Sequence, residues 1–183
     1  RIRDVLAAQC EEEEAAATLS AKTVQALVES GIFAMKLPCV LGGAEADPVT
    51  QFEVIEAVAA INASAGWCTM VGATSIGLPG AFLPDEGIEQ MFAGKHIPRG
   101  AICIMPAGQG QPAAGGYQVS GRWSFASGVR HSEWITACAR ITREPDAPPR
   151  DVLDEPPRLL AEQAVKHTDA FLHGKQGADV VVG

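Results

Sequence analysis

Apolar side chains recur every three or four residues through the first part of the chain, which is the spacing of one helix face. Ser20 is a residue type that caps helix N-termini, and Gly31 stands where helices commonly end. The acidic run at residues 11–14 is interpreted as a solvated helix face. Residues 1–30 are therefore predicted to be helical.

Three further segments extend the helical prediction. Pro48 opens one helix, because proline suits a first helical turn. Residues 63–81 are nearly all small or apolar, which suits a helix packed on every side. A short helix follows over residues 84–93, whereas residues 32–38 are predicted to be extended, because a proline disfavours helix before it. Residues 1–97 are therefore expected to form an N-terminal, all-α helical bundle.

The apolar period changes to two in the second half of the chain, as in half-buried strands. Strands are predicted over residues 101–104, 117–123 and 134–141, and a loop rich in proline and glycine is predicted over residues 106–116. The segment 98–142 is thus expected to be an incomplete, antiparallel β-domain. The fold class is α+β.

Residues 143–183 form a region of different composition, in which prolines cluster in a short polar stretch. This region is interpreted as a proline-rich linker and an unmatched tail, because it does not match what should follow the third strand. One helix is predicted over residues 159–173.

Composition narrows the function classes. The chain has 183 residues, 47% of them hydrophobic, and a net charge of −8 without a lysine or arginine cluster, which argues against nucleic acid or an anionic membrane as a partner. Five cysteines are spread along the chain without a CxxC pair, which favours free thiols in the cytoplasm. No apolar run is long enough to span a membrane, and no histidine has a metal-ligand spacing.

Residues 121–128 read Gly-Arg-Trp-Ser-Phe-Ala-Ser-Gly and carry most of the candidate chemistry. A strand that ends in this way offers an aromatic wall, backbone N–H groups and the Ser127 hydroxyl, and Gly128 lets the backbone lie close to a ligand. Trp123 and Phe125 share one strand face. Core packing is favoured for Trp123, whereas core packing and a ligand wall are weighed equally for Phe125.

A helical bundle followed by strands with this string resembles the acyl-CoA dehydrogenase superfamily, most closely the branch that includes flavin-dependent aromatic hydroxylases. The resemblance covers residues 15–142. It rests on glycine- and aromatic-containing segments at residues 31–33, 42–43, 63–67, 115–128 and 131–134.

The resemblance implies a flavin, FAD or FMN, between the helical domain and the β-domain. It assigns the flavin contacts to the first β-loop and to the strand end, at Ile104, Met105, Pro106, Gly108, Phe125, Ala126 and Ser127. Ser127 would hydrogen-bond near flavin N5. Trp67 would border the substrate pocket, with helix packing as the simpler alternative, and His131 is interpreted as a surface loop residue.

Two enzyme activities stay open, and no catalytic residue is assigned. One is oxidation of an acyl-CoA thioester; the other is hydroxylation of a small molecule with oxygen and reduced flavin from a partner reductase. The loop over residues 104–110 lacks the Thr-Glu-Pro and Gly-Ser-Asp pattern of dehydrogenases, which favours the hydroxylase branch. Residues 73–78 lack the histidine that several hydroxylases carry there.

The C-terminal four-helix domain of the superfamily is not recognisable in the sequence. That domain supplies the dehydrogenase base and much of the contact in the homotetramer, so a homo-oligomer is expected of the full-length protein. The rival hypothesis is a non-catalytic fragment or interaction module that keeps the front half of the fold.

Overall fold

The computed structural model describes residues 2–113, 116–141, 158–163 and 180–182. The helical half of this described part comprises α1 (Ile2–Ala16), α2 (Ala21–Glu29), α3 (Pro48–Ala59), α4 (Ala63–Phe82) and α5 (Asp85–Met91). The second half comprises β1 (Gly100–Ala113), β2 (Gly116–Ser120), β3 (Trp134–Ile141), β4 (Arg158–Gln163) and β5 (Val180–Val182). The predicted α+β class is confirmed.

Side-chain caps fix where the central helices begin. Ser20 accepts a hydrogen bond from the backbone N–H of Thr23 at the start of α2. Asp47 caps α3 directly before Pro48, and Asn62 caps α4 by accepting from the N–H of Ala65. These caps satisfy backbone donors that have no partner inside the helix.

The extended segment predicted over residues 32–38 is wrong. The chain instead makes two 3₁₀ turns, Ile32–Ala34 and Cys39–Leu41. Gly31 takes a left-handed conformation with φ of 74°, which turns the chain sharply at the end of α2. The turns place Phe33 and Leu37 in the core, so packing overrides the local preference.

Helix α4 lies at the centre of the molecule but is not packed on every side, so that prediction is also wrong. Its buried side includes Ala65, Thr69, Gly72 and Ile76. The opposite side, formed by Trp67, Val71, Thr74 and Leu78, is only partly covered. We refer to these four residues as the open face of α4.

Two clusters of buried side chains hold the helices to one another and to the sheet. The first joins α1 to α4 through Leu6, Leu19, Leu27, Phe33, Val58 and Ala65. The second contains Leu37, Ile76, Met91 and Phe92, with Trp134 of β3 packed against it. At Gly100 a Cβ atom would lie 2.5 Å from Ser75 Oγ, so β1 approaches α4 closely where it begins.

The sheet is mixed, with strand order β4-β3-β1-β2-β5. β1 and β2 form the expected antiparallel pair, and β1 continues to Ala113 through much of the predicted loop. β1 and β3 pair in parallel, because the connection through residues 121–133 returns the chain to the starting end of β1. The sheet therefore departs from a purely antiparallel one at this pair.

A wide bulge interrupts the pairing of β1 with β3. Cys103 pairs with Ala137 and Gly108 pairs with Ala139, so residues 104–107 lie opposite the single residue Cys138. Extra residues in one strand leave the ladder and bend the strand locally. Ile104 and Met105 are consequently exposed, although apolar.

Part of the tail adds to the sheet. β4 pairs antiparallel with β3, and β5 pairs antiparallel with β2. The helix predicted over residues 159–173 is wrong over residues 159–163, because the free edge of β3 offers backbone partners to that segment. The remainder of that prediction and most of the predicted linker lie outside the described residues.

Glu13 is buried, contrary to the expectation of a solvated acidic face. Only 4% of it is exposed, whereas Glu11, Glu12 and Glu14 are exposed. Its Oε1 accepts from the backbone N–H of Ser20 and its Oε2 accepts from Nδ2 of Asn62, each at 2.8 Å. Burial alone would raise the pKa of this carboxyl, but the surrounding hydrogen-bond donors outweigh burial and hold the pKa below its ordinary value of 4.5.

We expect Glu13→Gln to lower the free energy of unfolding by about 1.5–3 kcal/mol at pH 7, because the NH₂ that replaces one carboxylate oxygen leaves one of the two donors, on Ser20 or Asn62, without its acceptor. The folded-state pKa is depressed, so the stabilisation by Glu13 is present above its unfolded-state pKa and is lost as the pH falls through the folded-state value. Urea unfolding at pH 7 and pH 3 should therefore show the two proteins converging in acid.

The matched control is Glu14→Gln, which removes the same charge from an exposed position. It should change the free energy of unfolding by less than about 0.5 kcal/mol. Equal losses for both variants at pH 7 would refute the role of Glu13.

Candidate functional site

Trp123 binds the start of the 121–128 string to the sheet through a hydrogen bond and close packing. Its Nε1 donates to the backbone carbonyl of Cys138, the β3 residue opposite the bulge, at 2.8 Å. A Cβ on Gly108 would lie 2.1 Å from the indole, and a Cβ on Gly121 would lie 2.6 Å from the Gly108 Cα. Both positions therefore require glycine, and Trp123 packs as a core residue beside Val119.

Phe125 is exposed to solvent and does not pack in the core. Its side chain is 93% exposed, and its backbone φ of 63° lies in the left-handed region. Such a conformation costs a non-glycine residue about 1–3 kcal/mol. Of the two interpretations weighed for Phe125, core packing is excluded, and a strained, exposed aromatic side chain is left beside the next residues of the string.

A cavity of about 640 Å³ lies between the helices and the end of this string. Its walls come from the α1–α2 connection, from the first turns of α4 and from the turn that follows Phe125. The lining residues are Glu13, Glu14, Ala17, Thr18, Leu19, Ala63, Ser64, Trp67, Cys68, Ala126, Ser127, Gly128, Val129, Arg130 and His131. The structure therefore brings together three of the predicted site residues, Trp67, Ala126 and Ser127.

Trp67 and Ser127 are in direct contact across this cavity. Nε1 of Trp67 donates to Oγ of Ser127 at 3.0 Å, although 60 residues separate them in the sequence. Trp67 is 56% exposed, so packing between helices covers less than half of it. Because Ser127 Oγ accepts this bond, its hydroxyl proton is directed elsewhere, and it meets no acceptor in the described part of the chain.

His131 is half-buried in the cavity wall, which corrects its interpretation as a surface loop residue. A Cβ on Gly128 would lie 3.1 Å from His131 Nε2, so the imidazole packs against the glycine that follows Ser127. Burial, and then the positive charge of Arg99, lower the pKa of His131. The imidazole is therefore neutral at pH 7, with one ring nitrogen able to accept a hydrogen bond.

An ion-pair cluster fixes the turn that carries His131. Arg99 donates from Nε to the backbone carbonyl of His131 at 2.6 Å and lies 3.1 Å from Glu133 Oε1. His96 Nε2 lies 2.7 Å from Glu133 Oε2. Burial opposes ionisation of Glu133, but His96 and Arg99 together lower its pKa. Sequence reasoning missed this cluster because the segment that carries His96 and Arg99 lies more than 30 residues from the one that carries Glu133.

The predicted first flavin loop coincides with the bulge in β1. Ile104 and Met105 are exposed there, and Gly108 is buried beneath Trp123. The side chain of Pro106 lies outside the described residues. Gly108 thus connects the bulge to the string through Trp123, whereas Ile104 and Met105 are not among the residues that line the cavity with Ser127.

Neither a metal-binding cluster nor a membrane-spanning helix is found among the described residues. They contain no group of three or more His, Cys, Asp or Glu side chains placed to hold a metal ion. Among the helices described, none combines the length and apolarity needed to cross a bilayer.

The sequence is similar to a known protein family and to several curated proteins. Residues 2–83 match the family described as acyl-CoA dehydrogenase, N-terminal domain. The chain is 29% identical over 123 residues to the oxygenase subunit HsaA of a flavin-dependent monooxygenase from Rhodococcus jostii (strain RHA1), covering 67% of this chain and 32% of the relative. It is 30% identical over 127 residues to a pigment production hydroxylase from Rhodococcus sp. (strain ATCC 21145), covering 69% and 33%.

Solved structures give the same fold. The 3-HSA hydroxylase from Rhodococcus sp. RHA1 superposes with a TM-score of 0.80 at 24% identity, over 90% of this chain and 41% of that one. XiaF from Streptomyces sp., solved with FADH2 and glycerol, gives a TM-score of 0.77 at 23% identity, over 90% and 40%. The chain spans about a third of the length of the curated relatives that it matches. Residues 2–83 therefore match an acyl-CoA dehydrogenase N-terminal domain, and the chain is similar in sequence to flavin-dependent monooxygenases and in fold to the solved hydroxylases.

Proposed function

We propose that this chain belongs to the oxygenase component of a flavin-dependent monooxygenase that hydroxylates a small molecule with reduced flavin and oxygen. The observation that carries the proposal is the Trp67–Ser127 hydrogen bond in the wall of a 640 Å³ cavity, beside the exposed and strained Phe125. The start of α4 and the 121–128 string thereby present the Ser127 hydroxyl and the rings of Trp67 and Phe125 close to one cavity.

The residues present fit a flavin. An isoalloxazine ring is flat, apolar at one end and polar at the other, so it needs apolar walls and a few fixed donors. Exposed apolar side chains of this kind are Ile104, Met105 and Phe125, and the fixed donor is Ser127. The flavin, when bound, supplies the redox and oxygen chemistry. Both FAD and FMN carry this ring.

The roles of the chain's own residues follow from their contacts. Ser127 donates its free hydroxyl proton toward the polar part of the ring, and Trp67 holds the Ser127 oxygen in that orientation. Phe125 and Ala126 line the ring. The neutral His131 imidazole accepts a hydrogen bond in the same cavity, and its turn is held by Arg99.

Hydroxylation is favoured over acyl-CoA oxidation by the loop over residues 104–110, which lacks the Thr-Glu-Pro and Gly-Ser-Asp pattern of dehydrogenases. The relatives' names point the same way, since they describe monooxygenases and hydroxylases.

We further propose a separate flavin reductase as the partner and a homo-oligomer, a tetramer, for the full-length protein. Support for the reductase comes from relatives named as an oxygenase subunit and an oxygenase component. A cytoplasmic location is supported by the five cysteines, all of which are free thiols.

We expect Phe125→Ala to weaken flavin binding by up to about tenfold, since an aromatic pair is worth about 0.5–1.5 kcal/mol beyond the area that it buries. The free energy of unfolding should change by less than about 0.5 kcal/mol, because the side chain is exposed. Quenching of FAD and FMN fluorescence measures the first quantity and urea unfolding the second.

The control for Phe125 is Phe52→Ala, which removes a phenyl ring that is also exposed but lies on α3, a helix that contributes no residue to the cavity lining. It should leave flavin affinity unchanged. Equal effects of the two variants would contradict the wall assigned to Phe125. An unmodified chain that binds neither flavin would leave the non-catalytic module as the better description.

A double-mutant cycle tests the Trp67–Ser127 pair. Trp67→Phe keeps an aromatic ring but loses the N–H donor, and Ser127→Ala loses the hydroxyl. Because each substitution removes the same hydrogen bond, their effects on flavin affinity should be non-additive by about 0.5–1.5 kcal/mol. Strictly additive effects would show that the contact does not position Ser127 for the flavin.

A further inference from the structure

Lys36 lies against α4 at a fixed position. Its Nζ donates to Oγ1 of Thr74 at 2.8 Å. A Cβ on Gly77 would lie 2.7 Å from the Lys36 Cβ, so the glycine lets the 35–37 segment approach the helix. The side chain is only partly exposed and is held at its base by packing and at its tip by a hydrogen bond.

The ammonium group of Lys36 has no acidic partner in the described part of the chain. The ion pairs found there join His96 and Arg99 to Glu133. Burial lowers the pKa of Lys36, and no neighbouring carboxylate opposes that effect. A partly desolvated cation without a counter-charge is costly, and an anionic ligand would offset this cost.

The hydrogen bonds of Thr74 leave part of this cation free. The Thr74 hydroxyl donates to the backbone carbonyl of Met70 at 2.8 Å, so its oxygen is turned to accept from Lys36. An ammonium group has three N–H donors. Two of them therefore meet no acceptor among the residues that the structure describes.

Lys36 contacts the open face of α4 at Thr74, and Trp67 stands at the N-terminal end of that face. Thr74 follows Trp67 by seven residues, which is close to two helical turns and about 10.5 Å along the axis. Val71 and Leu78 give the same face an apolar surface. The face therefore presents an aromatic ring, an aliphatic strip and a cation in a line that begins at the Trp67–Ser127 contact.

We propose that Lys36 is a specificity-determining residue that binds the carboxylate of an apolar, aromatic acid lying along the open face of α4. The inference rests on the proposed function, since the acid is the substrate that would be hydroxylated. A carboxylate fits better than a phosphate, because phosphate sites commonly combine several donors, an arginine fork or a helix N-terminus. Here a single ammonium group stands midway along a helix.

The test compares binding of 4-phenylbutyrate with that of 4-phenylbutanamide, its neutral counterpart, by calorimetry on the complete chain, with and without FAD. The unmodified protein should bind the acid at least about tenfold more tightly, the difference expected of one charge-assisted hydrogen bond. Lys36→Met should abolish this preference without changing affinity for the amide. Lys36→Arg should retain most of it.

The matched control is Lys22→Met, which removes the same charge from an exposed site on α2 and should bind as the unmodified protein does. If Lys36→Met does not fold, Thr74→Val gives the second test, because it removes the hydroxyl that orients the ammonium group. It should reduce the preference for the acid severalfold.

The proposal is overturned if the unmodified protein shows no preference for the acid, binds neither compound, or binds inorganic phosphate more tightly than 4-phenylbutyrate. It is also overturned if Lys36→Met keeps the preference. Flavin binding is scored separately by fluorescence quenching. A chain that binds FAD but does not prefer the acid refutes the role of Lys36 alone, whereas a chain that prefers the acid but binds no flavin refutes the proposed function alone.

Discussion

The carboxylate of Glu13 is the interaction on which the rest of the structure depends. Its two oxygens bind Ser20 and Asn62, which are the N-cap residues of α2 and α4. A cap fixes where a helix begins, and the phase of a helix determines which side chains face each direction. Through Asn62, a group in α1 therefore sets where Trp67 points, and with it the cavity and the open face of α4.

A second constraint positions the other wall of the cavity. Gly108 and Gly121 make room for the Trp123 indole, and the indole bonds to β3 at Cys138. This lock holds the strand end against the sheet, so the backbone at Phe125 can sustain an unfavourable conformation. The hydrogen bonds of Glu13 order the helical part, and the packing of Trp123 orders the strand end. The Trp67–Ser127 hydrogen bond joins these two parts.

Features set by neighbouring residues could be predicted from the sequence, whereas features set by contacts between distant residues could not. Caps and glycine stops located the helices, and the 121–128 string identified the cavity wall, because these signals lie within a few residues. The burial of Glu13 depends on Asn62, 49 residues away, and the parallel pairing of β1 with β3 depends on how the intervening turn is anchored by Arg99. The 3₁₀ turns after Gly31 were missed because the buried sites for Phe33 and Leu37 exist only in the packed bundle.

The bulge in β1 also bears on how this fold can diversify. The stretch of β1 that ends at Cys103 and the stretch that begins at Gly108 each pair with their own residues on β3. Insertions, deletions and substitutions within residues 104–107 would leave both paired stretches in register. Evolution can therefore revise this short segment, which protrudes beside the cavity-forming string, while the scaffold beneath it is conserved.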